Sequence, residues 1–525
     1  MNGGDLGWPL RRAAQLYGDS PAVIDPRRSV SYRELAQRAS ALGSALAGLS
    51  ASAGGRVGFL GVNSLAHLEC WLGVPATGRV LVDLNFRLAE DELAFIVDDC
   101  ETEVLIVDRD RLEAARELRS RCQSVRELVL DGAGPCPEDC APYEQLLAGT
   151  PGAPGPAPDE HELATISYTG GTTGRPKGVM LSHGNLLANA RHNLIATGHH
   201  PSDRWLHVCP MFHVAGTANV FACTWAGSLQ VVLPRFEAGA VLDAIERHRI
   251  THTVLVPTMI AMLLEELERS QRQLDSLGHI QYAGSPISAA LQRRLLERFD
   301  RDVVQFYGMT EAAPTVSCAT AEDHRRGFAG EPLYAERLRS IGAPVIGVEV
   351  EVRRPDGRPT APGEIGELWI RGPNVMRGYW KRPEDTRAAL VDGWYRSGDA
   401  AYASDDGYLY LVDRLKDMII SGGENVYSVE VEAALADHAA VREAAVFGVP
   451  DLRWGEAVHA VVVVDDKSTV SAHELIVHAR QRIAGYKVPR TIELREEPLP
   501  KSGAGKVLKH VLRERFWVGH DRRVG

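Results

Sequence analysis

The chain has 525 residues, 45% apolar and 24% charged, the composition of a folded globular protein and more chain than one hydrophobic core holds. A formal net charge of −11, with lysine and arginine scattered rather than clustered, excludes the basic footprint of a nucleic-acid binder. No apolar run is long enough to cross a bilayer, Arg11-Arg12 leads into Ala-Ala-Gln-Leu-Tyr rather than an apolar leader, and the eight cysteines lack metal-binding spacing, so reduced thiols in a cytoplasmic protein are expected.

From about Ser20 to Val107 short strands and helices alternate. Ala89–Asp98 has the spacing of an amphipathic helix and Val104–Val107 that of a buried strand. Asp131–Glu160 is rich in proline and glycine and reads as a surface excursion. Leu163–Tyr168 is an apolar strand, followed at once by Thr169-Gly-Gly-Thr-Thr-Gly-Arg-Pro-Lys177. Glycines let a backbone approach an anion closely, and successive N–H groups in such a turn form a concavity for phosphate. Threonine hydroxyls donate to phosphate oxygens or reach a metal, and lysine adds a mobile positive charge. The loop therefore predicts a nucleoside triphosphate site. It lacks Walker spacing, since Gly178 follows Lys177. A glycine-rich surface turn is the bland alternative. The stiff Pro176-Lys177 closure favours binding, as does a helix-period stretch beyond it with Leu186, Leu187, Ala190, Leu194 and Ile195 on one face. A strand–loop–helix unit is expected, with phosphates near the helix N-terminus.

Strands at Leu229–Leu233, Thr253–Val256, Ile280–Ala283 and Val303–Phe306 then alternate with helices at Val241–Arg249, Met259–Arg269 and Ala289–Phe299. This βαβ signature predicts a mostly parallel sheet with helices packed on it. Trp205 and Trp225 are expected in the core rather than in a pocket. After Phe328 short strands with turns such as Pro355-Asp-Gly and Pro362-Gly predict a small antiparallel sheet or barrel. Strands at Tyr408–Val412, Ala444–Val449 and Ala457–Val464 and helices at Val429–Ala436, Ala472–Ile483 and Val507–Phe516 predict a separate C-terminal domain.

Four further stretches carry chemistry. Gln305-Phe-Tyr-Gly-Met-Thr-Glu311 ends a sheet strand, the edge that ligands favour in open α/β sheets. It offers a ring for adenine, a hydroxyl for phosphate and a carboxylate for Mg²⁺. Gly393-Trp-Tyr-Arg-Ser-Gly-Asp399 brings a carboxylate suited to ribose hydroxyls. Asp413-Arg-Leu-Lys-Asp-Met-Ile-Ile-Ser-Gly-Gly-Glu-Asn425 and Pro500-Lys-Ser-Gly-Ala-Gly-Lys506 complete the set.

In this order the five stretches resemble the adenylate-forming superfamily of acyl-CoA synthetases, carrier-protein adenylation domains and luciferases, over nearly the whole chain. Asp413–Tyr427 is most similar to fatty-acyl- and aryl-CoA ligases. The resemblance implies an α/β fold: a large N-terminal adenylation domain, 1–413, with βαβ-type sheets and a small β-barrel-like subdomain, and a small mobile α+β C-terminal domain, 414–525, with its hinge near Lys416. It implies attack of a carboxylate on the α-phosphorus of MgATP, then attack of a thiol, usually that of CoA, on the acyl adenylate.

By the same resemblance Thr169, Thr172, Thr173 and Lys177, with Gly171 and Gly174, hold the β- and γ-phosphates, and Thr172 also reaches the metal. Tyr307 stacks on adenine. Gly284, Ser285 and Pro286 line the boundary between adenine and acyl group. Thr310 contacts the α-phosphate and Glu311 the Mg²⁺. Asp399 and Arg414 grip the ribose, and Lys506 bridges carboxylate and α-phosphate. Gly422 and Gly423 line the pantetheine path. His213 lies near the acyl carboxylate, with Phe306 and Gly308 in the substrate pocket. Carboxylate and triphosphate repel one another, so Lys506 and Mg²⁺ offset charge, and positioning is the main task.

Plainer readings stand beside several of these: a satisfied core histidine for His213, an ordinary ion pair with Asp417 for Lys416, and a turn for Gly422-Gly423. The chain also departs from the common pattern. Gly170 stands where serine is frequent and Lys509 where arginine is. Ser428 replaces proline and is expected to cap the following helix. Phe306 stands where long-chain ligases carry glycine, which predicts a shorter or rerouted acyl pocket. The expected activity is ATP-dependent ligation of an apolar monocarboxylic acid (medium-chain fatty, aryl or polycyclic) to CoA. The alternatives are loading of a separate acyl carrier protein and a degenerate nucleotide-binding relative.

Overall fold

The computed structural model describes residues 4–49, 54–148, 157–169, 176–270, 272, 274–285, 287–299, 301–415, 417–421, 424–464, 469–501 and 507–518. The chain forms two compact units. One comprises most of residues 1–349 with Arg371–Gly393, the other Val350–Ile370 and Trp394–Gly525.

The first unit holds a nine-stranded and an eight-stranded sheet. In the larger, Leu229–Val232, Arg204–His207, His252–Leu255, His279–Tyr282 and Asp302–Gly308 run parallel as neighbours. The helices Ala238–His248, Pro257–Ser270 and Ala289–Arg298 connect them, as the alternation predicts. Side chains alternate across a strand, so one face presents Leu206, Val231, Leu255, Ile280 and Val303. These pack with Val241, Leu263 and Leu295 of the helices into one aliphatic core. Each such side chain fully removed from water stabilises the fold by roughly 1.5–3 kcal/mol. The opposite face carries Trp205, His207, Gln230, His279, Gln281 and Phe306, also buried. Trp205 is thus a core residue as expected, whereas Trp225 is half-buried, edge-on to Trp8.

In the eight-stranded sheet Leu163–Thr169 is the predicted strand, but its continuation differs from the sequence reading. A second strand, Lys177–Ser182, pairs antiparallel with it before the helix His183–Thr197 begins. The Thr169–Lys177 stretch therefore links two antiparallel strands, and a strand rather than a helix starts at its end. The period-two run Lys177–Ser182 was hidden by the helix-period residues just beyond it. Ser182 caps that helix by accepting from Asn185 N–H. Ile195, expected on its apolar face, is 57% exposed, and Asn189, His192 and Asn193 are buried instead. The Asp131–Glu160 excursion contains a short helix, Tyr143–Leu147.

In the second unit Gly366–Arg371, Trp394–Ala403 and Leu409–Arg414 form an antiparallel sheet. The turns forecast at Pro355 and Pro362 place Gly357 and Gly363 at φ +83° and +78°, conformations that glycine adopts without strain. Further along, Val441–Asp451 and Gly455–Val464 form a long hairpin that Thr491–Arg495 joins in parallel. The helices Ser428–Ala436 and Ala472–Arg480 bury Val431, Leu435, Leu475 and Ala479 against it.

Candidate active site

At the end of the hairpin where the two strands are linked, Thr169 and Lys177 are register partners, and Thr169 Oγ1 donates to the Lys177 carbonyl at 3.4 Å. Gly171, Thr172, Thr173 and Gly174 lie outside the described residues. The Lys177 ammonium is 2.7 Å from Asp385 Oδ1 and stands 5.2 Å from the ring centre of Tyr379. Both partners are partly exposed, so this pair is a weak, exchangeable resting place for the charge.

The sequence Gly308-Met-Thr-Glu311 makes a tight turn off the strand Asp302–Gly308. A Cβ at Gly308 would lie 1.7 Å from the Pro314 carbonyl oxygen, so only glycine fits there. Met309 N–H donates to that carbonyl at 3.0 Å. The turn is held from outside by residues 374–379. Asn374, fully buried, donates to the Ala312 and Thr315 carbonyls at 2.8 Å each, and Met376 N–H donates to the Glu311 carbonyl at 2.8 Å. Tyr379 Oη donates to Glu311 Oε1 at 3.0 Å. The result is a carboxylate with one oxygen oriented by a phenol, beside the buried Thr310 and half-buried Tyr307. Gly284, at φ +88°, and Ser285 follow the neighbouring strand His279–Tyr282, so they leave the same sheet edge as Gly308. Pro286 lies outside the described residues.

His213 caps the short helix Val214–Thr217, its Nδ1 accepting from Ala215 N–H at 3.2 Å. That bond puts the proton on Nε2. Burial lowers the imidazole's pKa to about 4, so the ring is neutral near pH 7. Phe306, 8% exposed, lies on the face of the nine-stranded sheet that carries Trp205 and Gln281.

In the second unit Asp399 and Arg414 are cross-strand partners, with Arg414 Nε 2.6 Å from Asp399 Oδ1. The Asp399 side chain is 4% exposed. Lys416, Gly422, Gly423 and Lys506 lie outside the described residues. The expected cap at Ser428 does not form. Tyr427 occupies the cap position without a side-chain bond, and Ser428 is the first helical residue. Its hydroxyl accepts from Lys509 Nζ at 2.5 Å, and its N–H donates to Asp413. Lys509 Nζ is also 2.7 Å from Glu432 Oε1. Burial pushes the Glu432 and Asp413 pKa values up, and the nearby ammonium opposes the shift. The two departures, serine and lysine, are therefore one compensating pair.

No group of three or more metal-ligating side chains exists among the described residues. Mg²⁺ bound to a nucleotide does not need one. It takes one or two carboxylates together with phosphate oxygens, and Glu311 supplies a carboxylate of the required kind.

Sequence reasoning missed Tyr379, Asn374 and Asp385. A Gly-Tyr pair at Gly378-Tyr379 repeats the type of signal read at Tyr307-Gly308, but its partner lies 68 residues away.

Residues 10–380 match the AMP-binding enzyme family and residues 430–506 the AMP-binding enzyme C-terminal domain. A feruloyl-CoA synthase of Amycolatopsis sp is 40% identical over 511 residues, 97% of this chain and 98% of that one. The indoleacetate–CoA ligase of Aromatoleum aromaticum is 36% identical, with 96% and 97% covered. The structure of o-succinylbenzoate CoA synthetase (MenE) from Bacillus subtilis, in complex with its acyl-adenylate intermediate, superposes with a TM-score of 0.82. It is 30% identical, and 98% of each chain is covered.

Proposed function

The chain belongs to the AMP-binding enzyme family of acyl- and aryl-CoA ligases, and from that premise we propose that its acid has an aromatic or otherwise apolar body and a single carboxylate. The enzyme activates the acid with ATP and transfers it to CoA. The full-length similarity to a feruloyl-CoA synthase carries this reading. In the first step a carboxylate oxygen bonds to the α-phosphorus and the bond to the β-phosphate oxygen breaks, releasing pyrophosphate. In the second the thiol sulfur bonds to the acyl carbon, the thiol proton is lost, and AMP leaves.

We assign roles to this chain's residues as follows. Thr169, Thr172, Thr173 and Lys177 hold the leaving pyrophosphate, Lys177 exchanging Asp385 for phosphate. Tyr307 stacks on adenine, and Gly284, Ser285 and Pro286 border it. Thr310 contacts the α-phosphate. Glu311, aimed by Tyr379, holds Mg²⁺, which supplies charge neutralisation of the phosphates. Asp399, fixed by Arg414, takes the ribose hydroxyls. His213, neutral, donates its Nε2–H toward the acid carboxylate without adding charge. Lys506 bridges carboxylate and α-phosphate. A division at 413/414, with a swing about Lys416, would withdraw Lys506 and present Gly422 and Gly423 to pantetheine. Phe306 fills space that a long acyl chain needs. The eight free cysteines suit a reducing cytoplasm.

The test is an acid panel assayed for pyrophosphate and AMP, with and without CoA. Acyl-CoA and AMP together support the reading. ADP as the sole nucleotide product, or no pyrophosphate with any acid, overturns it. A thioester formed only on a carrier protein would replace CoA with that acceptor.

A further inference from the structure

The helix His183–Thr197 carries asparagine at positions 185, 189 and 193, one stripe of its surface. All three are buried. Asparagine favours caps and turns over a helix interior, because its amide competes for nearby backbone groups. A buried amide also needs partners of its own. The stripe therefore calls for partners outside the helix, and it has them in three other segments.

Asn185 Nδ2 donates to the Pro373 and Val375 carbonyls at 2.7 and 2.8 Å. It thus holds the segment whose Met376 N–H and Tyr379 Oη reach Glu311. Asn193 Nδ2 donates to Asn189 Oδ1 and Thr315 Oγ1 at 3.2 and 3.3 Å. Asn189, between them, spans two segments with one amide. Its Oδ1 accepts from Thr315 N–H at 3.3 Å, and its Nδ2 donates to the Ala218 carbonyl at 3.0 Å. One partner is a backbone donor and the other a backbone acceptor, so together they fix which end of the amide is oxygen.

The two segments carry different parts of the site. Thr315 pairs in register with Gly308 and opens the strand that returns from the turn of Thr310 and Glu311. Asn374 donates to the Thr315 carbonyl at 2.8 Å. The N–H, carbonyl and hydroxyl of Thr315 are therefore each bound by an asparagine side chain. Ala218 ends the short helix Val214–Thr217, whose other end His213 caps. Asn189 accordingly ties the metal and phosphate turn to the helix of the acid-side histidine. All of these segments belong to one compact unit.

Adenylation brings a carboxylate oxygen to the α-phosphorus, with His213 assigned to the first and Thr310 and Glu311 to the second. The rate of such an attack depends steeply on separation, and a misplacement of about 1 Å can cost about a hundredfold. We propose that Asn189 is a positioning residue for adenylation, setting the separation of the acid and nucleotide sites through the two segments it ties. This rests on the ligase reading above. Each site survives the loss of Asn189, so each substrate still binds, and what changes is their spacing. Thioester formation starts from an acyl adenylate in which the bond between the two is already made, so it does not need that spacing set.

The full-length protein is assayed for pyrophosphate release with cinnamate, or with whichever acid of the panel reacts fastest. A second assay supplies the matching synthetic acyl adenylate at saturation, with CoA, and follows the thioester. Asn189→Ala is expected to lower kcat for pyrophosphate release about twentyfold or more, with KM for ATP and for the acid moved less than about threefold and thioester formation less than about twofold. Asn189→Asp keeps the shape and an acceptor for Thr315 N–H but offers no donor to Ala218. It should show the same split, and it decides the matter if the alanine variant does not fold. Equal falls in the two half-reactions would make Asn189 merely structural and overturn the proposal, as would loss of folding in both variants. Unchanged pyrophosphate release, or a loss carried by KM alone, would also overturn it. In each of these cases the wild type still forms acyl-CoA and the ligase reading stands. A wild type that releases no pyrophosphate with any acid removes both.

Discussion

Tyr379 and Glu311, 68 residues apart, meet through a 3.0 Å hydrogen bond that fixes one oxygen of the carboxylate. Tyr379→Phe removes this bond and keeps the ring beside Lys177. The expected effect is a five- to twentyfold fall in the adenylation rate, about 1–2 kcal/mol, with a weaker apparent Mg²⁺ affinity. Pyrophosphate release titrated with Mg²⁺ checks this. An unchanged Mg²⁺ midpoint would remove Glu311 from the metal.

Asp399 is held by Arg414 Nε at 2.6 Å on a neighbouring strand. Asp399→Asn weakens that pair and the charge offered to the ribose. KM for ATP should rise roughly ten- to a hundredfold, the size of a hydrogen bond to a charged group. The acid's KM should move little. Steady-state kinetics varying each substrate in turn distinguish the two.

Lys177 rests 2.7 Å from Asp385, with both side chains partly exposed. Breaking the pair costs about 1 kcal/mol at most. Asp385→Asn should therefore leave stability nearly unchanged and lower KM for ATP a few-fold, because Lys177 no longer leaves a carboxylate to meet phosphate. Lys177→Ala should raise it. Parallel changes in the two variants would contradict this exchange.

Lys509 serves Ser428, Glu432 and Asp413 from a half-buried position. Lys509→Met strands the buried Asp413 carboxylate and the half-buried Glu432 one and should cost about 3 kcal/mol in urea unfolding. Lys509→Arg retains the charge and should cost far less. Equal losses would show that packing, not charge, is what the site needs.

His207 and His279 are held by burial to pKa values of about 4 and about 3, against 6.5 unfolded. The unfolded chain therefore binds protons that the folded one refuses as pH falls below 6.5. Stability is full above that value and is lost toward pH 4, at about 1.4 kcal/mol per pH unit for each histidine. The melting temperature should be flat from pH 7 to 8 and fall steadily below 6.5. His279→Phe should flatten part of that fall, and an unchanged slope would assign it to other groups.

Much of this was legible in the chain itself. The strand–helix alternation over residues 229–306 matched to within a few residues, because periodicity reports directly which side chains face a core. The hairpin at Lys177–Ser182 was not, since its period-two run abuts a helical one and short apolar runs do not declare their partner. Ser428 shows the same limit. Its type suits a helix cap, but a lysine 81 residues away claims the hydroxyl.

The sequence alone determined the order of chemical groups: the threonine-rich loop, the Thr310-Glu311 pair, Asp399 with Arg414, and the layered fold that carries them. These are local choices of residue type and spacing, read without knowing any partner. Only the tertiary structure decided who meets whom. It put Tyr379 on Glu311, Asp385 on Lys177, and Asn219 against Gln281. Such pairings depend on how distant segments pack, and hydrogen bonds of about 3 Å depend on register and rotamer. No local pattern in the chain encodes those distances.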